Sequence, residues 1–121
     1  MNAAALVAVG GAVGAVARHA VSLALAEAEE GGVPSATLSV NVVGSFVLAA
    51  VTALAPGDSA LLLIGVGACG AFTTFSTFAV QAVDALTERR YRDATAHMTL
   101  NLVGALGAVA LAWTVVRAAT A

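Results

Sequence analysis

The sequence predicts an all-α integral membrane protein of four transmembrane helices, the third broken at its centre. Three observations predict it. The chain of 121 residues is 60% hydrophobic and only 10% charged, whereas an average soluble domain is about 25% charged. Its apolar residues gather into four runs, each meeting the roughly 20 residues that a helix needs to cross the hydrocarbon core. The connections between runs are short and hold most of the charge. A soluble helix keeps a polar face, and none of these runs has one wide enough. Residues 1–121 are therefore expected to form a single four-helix membrane domain with lipid as its surroundings, and short loops make successive helices antiparallel neighbours.

The first run, Ala3 to Ala26, is interrupted only by Arg18 and His19. Gly10 and Gly14 form a GxxxG pair, the pattern that lets helix backbones approach closely in lipid. Ala24-Leu25-Ala26 resembles a signal-peptide cleavage site, but no positive charge precedes Ala3, as a secretory signal would require. At ~1.5 Å per residue, Arg18 lies about 12 Å inside the helix end. Burial there would cost on the order of 2.5–3.5 kcal/mol at a helix centre, and less near an edge. Two readings are open: the side chain snorkels to the interface, or it stands in a water-filled vestibule and attracts anions.

The second run, Ala36 to Ala55, follows a loop with three glutamates, a glycine pair and Pro34. Its polar residues Thr37, Asn41 and Ser45 recur every four positions and share one helix face. Asn41 brings two N–H donors and one carbonyl acceptor. These serve either an interhelical hydrogen bond or an ion path.

A turn with Pro56 and Gly57 leads into the third run, Ala60 to Leu86. Its centre reads "GACGAFTTFSTFAV" and holds Phe72, Phe75 and Phe78 beside the hydroxyls Thr73, Thr74, Ser76 and Thr77. Gly70 and the paired threonines weaken helix propensity here. A break would free backbone groups, which membrane depth tolerates only inside protein or beside a water-filled cavity. Freed carbonyls can coordinate a hard cation. The ring edges of Phe75 and Phe78 carry partial positive charge and can face an anion, although ordinary packing also places phenylalanines three apart. The fourth run, Ala94 to Val116, carries His97 and Asn101 at the same four-residue spacing, and the next position on that face is Ala105.

What the runs lack narrows the function. Asp84 is the one acidic residue inside them, and it is close to an end. A small exporter of organic cations needs a carboxylate at mid-depth. The inventory of donors, ring edges and one arginine favours an anion instead. A net charge of −2 with no lysine argues against nucleic acid. The lone cysteine, Cys69, excludes an internal disulfide, and no nucleophile–base signature marks an enzyme.

Three blocks carry a resemblance. "GGAVGAVARH" (10–19), "TLSVNVVGSF" (37–46) and "CGAFTTFSTF" (69–78) are similar, in order and spacing, to the first-, second- and third-span signatures of the small fluoride channels of the Fluc (CrcB) family. That resemblance implies passive, fluoride-selective export that protects the cell, from a multi-pass protein of the plasma membrane. It implies a dual-topology dimer of two antiparallel subunits with two pores between them. It implies a structural, untransported Na+ held by the backbone carbonyls of Gly70 and Thr73. It assigns Phe75, Phe78 and Asn41 to the pores and Arg18 to the vestibule; the hydroxyls of Ser45, Ser76 and Thr77 are suitable further donors along a fluoride path. His97 and Asn101 fall on the family's fourth-span polar track, whose last position is empty at Ala105. Alternatives in other classes are a dual-topology small-molecule exporter and a non-conducting partner subunit of a membrane heterodimer.

The charge distribution bears on the partner. Arg89, Arg90 and Arg92 follow the third span, while only Arg117 lies near a span end on the opposite side. The positive-inside rule counts arginines and lysines, and acidic residues contribute little to it. The 87–93 loop is therefore expected in the cytoplasm. A chain with that single orientation needs an opposite-topology paralogue to complete an antiparallel dimer, whereas a dual-topology chain can pair with itself.

Overall fold

A computed structural model describes residues 2–26, 32–54 and 57–121. Glu27, Glu29, Glu30 and Pro56, all used in reading the loops, lie outside the described residues. Helix α1 is Ala3–Leu25, and α2 is Ser35–Leu54. The third span, Asp58–Thr87, is interrupted and divides into α3 (58–72) and α4 (Phe75–Thr87). Helix α5 is Tyr91–Thr120. The four spans are each long and apolar enough to cross a membrane. Their bounds differ from the sequence expectation by at most four residues, most at α5, whose ends continue past the apolar run into charged sequence.

Asn2 starts α1, its Oδ1 accepting from the Ala5 N–H at 2.8 Å, as an N-cap should. The end of α4 is closed by a pair of backbone bonds. Arg90 N–H donates to Ala85 O at 2.8 Å and Arg89 N–H to Leu86 O at 3.1 Å, the Schellman pattern. Arg89 occupies the left-handed position with φ 60°, where glycine is usual because a Cβ costs roughly 1–2 kcal/mol.

Two pairings organise the bundle: α1 packs mainly on α3, and α2 on α5. The α1–α3 contact is backbone on backbone. A Cβ at Gly10 would collide with the Leu63 carbonyl, and one at Gly14 with the Ala68 carbonyl. The facing stretch Leu61–Cys69 is wound as a π-helix, a form that is rare at this length. Its i→i+5 bonding suits the contact, since Leu63 and Ala68, five apart, meet glycines four apart. The sequence reading anticipated the close approach and not the rewinding.

Candidate functional site

Helix α3 stops at Phe72 because the next two residues are extended. Thr73 has φ −76°, ψ 160°, and Thr74 has φ −146°, ψ 117°. Thr73 ends one helix: its N–H and its hydroxyl both donate to Cys69 O, each at 3.0 Å. Thr74 begins the next as an N-cap. Its Oγ1 accepts from Thr77 N–H at 3.2 Å and donates to Thr77 Oγ1 at 2.9 Å. It also lies 3.4 Å from Ser76 Oγ. The four hydroxyls of the central motif thus satisfy one another and the helix ends, which polar groups at membrane depth must do.

Asn41 holds the break from α2. Thr74 N–H donates to Asn41 Oδ1 at 2.9 Å, and Asn41 Nδ2 donates back to Thr74 O at 3.2 Å. The side-chain amide pairs with the peptide as a neighbouring strand would. Gly44, one turn further along α2, makes room for this docking, because a Cβ there would strike the methyl of Thr73. The second Nδ2 proton of Asn41 goes to Asn101 Oδ1 at 3.0 Å. Both Asn41 donors are therefore taken up inside the chain, as the interhelical alternative required.

The ladder continues into α5. Asn101 Nδ2 donates to His97 O at 2.9 Å and approaches His97 Nδ1 at 3.3 Å. Asn101 and His97 are buried, His97 to 2% exposure. The His97 ring lies 5.0 Å from that of Phe78, which lies 5.8 Å from that of Phe75. Phe75 itself is 79% exposed in the single chain. The rings and amides form one connected array, which the sequence had presented as separate stripes.

A groove of about 540 Å³ opens beside the array. Its wall includes Asn41, Ser45, Gly70, Thr73, Phe75, Phe78 and Asn101. Ser76, Thr77, His97 and Arg18 are outside its lining. Sequence reasoning missed Gly65 and Cys69, which line it too.

Two carbonyls at the break matter for any cation. Thr74 N–H, the natural partner of Gly70 O in a continuous helix, bonds Asn41 instead. The Gly70 carbonyl is thus freed by the break. Thr73 O faces Arg18, whose Nη1 donates to it at 3.4 Å. Arg18 neither snorkels away nor stands alone, because it reaches the end of α3. At Gly70 a Cβ would meet no atom within 4 Å. No cluster of three or more His, Cys, Asp or Glu able to hold a metal occurs among the described residues.

Comparison with known proteins gives consistent matches. A family model described as "CrcB-like protein, Camphor Resistance (CrcB)" matches residues 5–113. A relative from Halobacterium salinarum, fluoride-specific ion channel FluC 1, is 52% identical over 92% of this chain and 91% of its own. Fluoride-specific ion channel FluC 2 of Haloarcula marismortui is 41% identical over 97% and 96% of the two chains. Fluoride-specific ion channel FluC of Idiomarina loihiensis is 42% identical over 85% and 83%.

Proposed function

The chain belongs to the CrcB family, and on that premise we propose that it is a fluoride-selective channel of the cell membrane. The carrying observation is the groove where two phenylalanines and an asparagine ladder meet the break in the third span. Fluoride is small and strongly hydrated, so a path must offer hydrogen-bond donors and positive edges in place of water. Phe75 and Phe78 offer ring edges, and Ser45 offers a hydroxyl in the groove wall. Ser76 and Thr77 continue the polar surface on the exposed side of α4. Asn41 and Asn101 contribute chiefly by holding that path open. Arg18, part-buried and tied to the break, supplies positive potential at its approach.

Conduction needs no turnover chemistry. An inside-negative potential drives one negative charge outward with about 2.3 kcal/mol per 100 mV. Fluoride that enters as the neutral acid and ionises in the cytoplasm leaves along this gradient, which is the protective role. An exporter of organic cations would need a mid-depth carboxylate. Among the described residues no acid lies at mid-depth: Asp58 and Asp93 are in the first turns of their spans, and Asp84 is exposed three residues from the end of α4.

The break also suits a structural sodium ion. Its donors would be the Gly70 and Thr73 carbonyls, and hard cations prefer oxygen. One chain offers two such oxygens, and an antiparallel partner would contribute a second pair. Arg18 already donates to Thr73 O, but a carbonyl has a second lone pair. Bound sodium would supply charge that steadies the freed carbonyls, and it is not the transported ion.

Purified protein in liposomes tests the function. With a potassium ionophore present, an external fluoride electrode should record rapid efflux, and chloride-loaded vesicles should release little. Fluoride retention by the protein alone and with an opposite-topology paralogue would refute the channel reading. Efflux only with the paralogue would identify a heterodimer.

A further inference from the structure

The outer side of α5 carries polar groups that the array at the break does not use. Ala94, His97 and Asn101 are buried on its inner face. The interval from Arg92 to Asn101 is about two and a half helical turns, so Arg92 stands on the side opposite Asn101. Thr95 and Thr99 continue that outer side at helical spacing. All three are exposed. Tyr91, Arg92, Thr95, Ala96, Thr99 and Leu100 line a shallow groove of about 650 Å³. None of them belongs to the groove beside the break.

The donors in this outer groove are uncommitted. Arg90 bridges Glu88 and Asp93, but Arg92 has no ion pair or hydrogen bond among the described residues. Thr114 and Thr120, on the same helix, turn their hydroxyls back to Leu111 O at 2.8 Å and Val116 O at 2.9 Å, the local bond that satisfies a threonine in a helix. Thr95 and Thr99 make no such bond. Depth then separates the groups. Helix α5 has 30 residues, about 45 Å at ~1.5 Å each, against a hydrocarbon core of about 30 Å. Arg92 precedes the apolar run that begins at Ala94, which puts it at headgroup level beside Tyr91, an aromatic residue of the kind enriched there. Thr95 lies about 5 Å deeper and Thr99 about 10 Å deeper. Water reaches Arg92, but it thins out toward Thr99, where an unmatched hydroxyl costs free energy. A ligand that satisfies both levels has an anion at the top and further oxygen acceptors below it.

We propose that this face of α5 binds one anionic phospholipid. Arg92 pairs with the phosphate, to which a planar guanidinium can donate two parallel hydrogen bonds. Thr95 and Thr99 donate to the phosphate and to the linkage oxygens beneath it, and a hydrocarbon chain of the lipid runs over Ala96 and Leu100. Basic pockets at the membrane surface select anionic headgroups by charge, whereas a zwitterionic headgroup brings its own cation to the phosphate and leaves less for Arg92 to gain. The site requires only that the four helices span a bilayer, so it stands independently of the fluoride reading.

Native mass spectrometry of the full-length protein tests the site. Delipidated protein in detergent is titrated with dioleoyl phosphatidylglycerol or with dioleoyl phosphatidylcholine. Wild-type protein should keep one phosphatidylglycerol per chain at concentrations where phosphatidylcholine is lost. Arg92→Gln should weaken that binding about tenfold, the scale of one charge-assisted hydrogen bond. Thr99→Val keeps the shape and removes the hydroxyl, and should weaken it about fivefold. Arg89→Gln removes the same charge from a residue outside the groove and should change binding by less than about twofold. Inorganic phosphate at the lipid's concentration should not displace it. Equal retention of the two lipids, unchanged binding by Arg92→Gln, an equal loss in Arg89→Gln, or displacement by inorganic phosphate would each overturn the inference. So would selective binding by monomers that vanishes in dimers, because the face would then be a contact between chains.

Discussion

Asn41 uses both amide protons on protein acceptors, so its substitution acts on the break before it acts on an ion. Asn41→Asp keeps an oxygen for Thr74 N–H. It leaves Thr74 O and Asn101 Oδ1 without their donor, and an unsatisfied buried group costs about 1–3 kcal/mol. Fluoride efflux should drop tenfold or more, and thermal stability in detergent should drop with it. A loss of flux with unchanged stability would instead make Asn41 an ion-contacting donor. Phe75→Ala is the complementary case. Its ring is mostly exposed in the single chain, so truncation should impair efflux severely while the subunit's stability changes little. Phe78→Ala, which also removes the stack on His97, should do both. Normal efflux from both variants would make the rings packing residues.

The third span shows how an element can be tuned by its neighbour. Helix α1 presents Gly10 and Gly14 to the backbone of α3, and the π-wound stretch meets them. Gly14→Ala places a Cβ against the Ala68 carbonyl and should destabilise the bundle by about 1–3 kcal/mol, the usual cost of overpacking. Gly107 provides the control, because a Cβ there meets nothing within 4 Å. Gly107→Ala should be neutral or should stabilise α5 by up to ~1 kcal/mol through helix propensity. Melting temperatures of the two variants, compared by fluorescence-detected gel filtration after heating, check the contrast. Equal melting would mean that α1 and α3 can separate slightly at no cost. At the other end of the span, α4 closes with Arg89 in a left-handed conformation. Arg90 beside it bridges Glu88 at 2.8 Å and Asp93 at 3.1 Å. These pairs are exposed and contribute little, so the three arginines of this turn matter more for insertion than for folding.

For the molecule as a whole, orientation decides assembly. The count of three arginines in the 87–93 loop against Arg117 opposite favours a cytoplasmic loop. We hypothesise on this ground that the chain works with an opposite-topology paralogue, the alternative being a homodimer that tolerates the imbalance. A C-terminal reporter should be active on the outside only. Replacing Arg89, Arg90 and Arg92 with Gln should produce both orientations. A wild-type reporter equally active on both sides, with robust flux from this chain alone, would establish the homodimer.

Hydrophobic runs and their lengths were enough to specify four spans, because lipid forces each polar backbone group into a helix and the requirement is local. The weak point in the third span was equally legible, since Gly70 and the adjoining threonines are read within one turn of chain. The GxxxG pair in α1 likewise announced a close contact. Partners across the bundle were not legible. Thr37, Asn41 and Ser45 share a face in the sequence, but Thr37 is buried, Ser45 lines the groove and Asn41 clasps a peptide 33 positions away. The π-winding of Leu61–Cys69, packed on the glycines of another helix, has no signal in its own residues. The direction of the Asn41–Asn101–His97 ladder depends on one backbone N–H that the break exposes. Periodicity reports which residues share a face, whereas the use of each donor and acceptor is settled only when α2, α4 and α5 meet at the break in three dimensions.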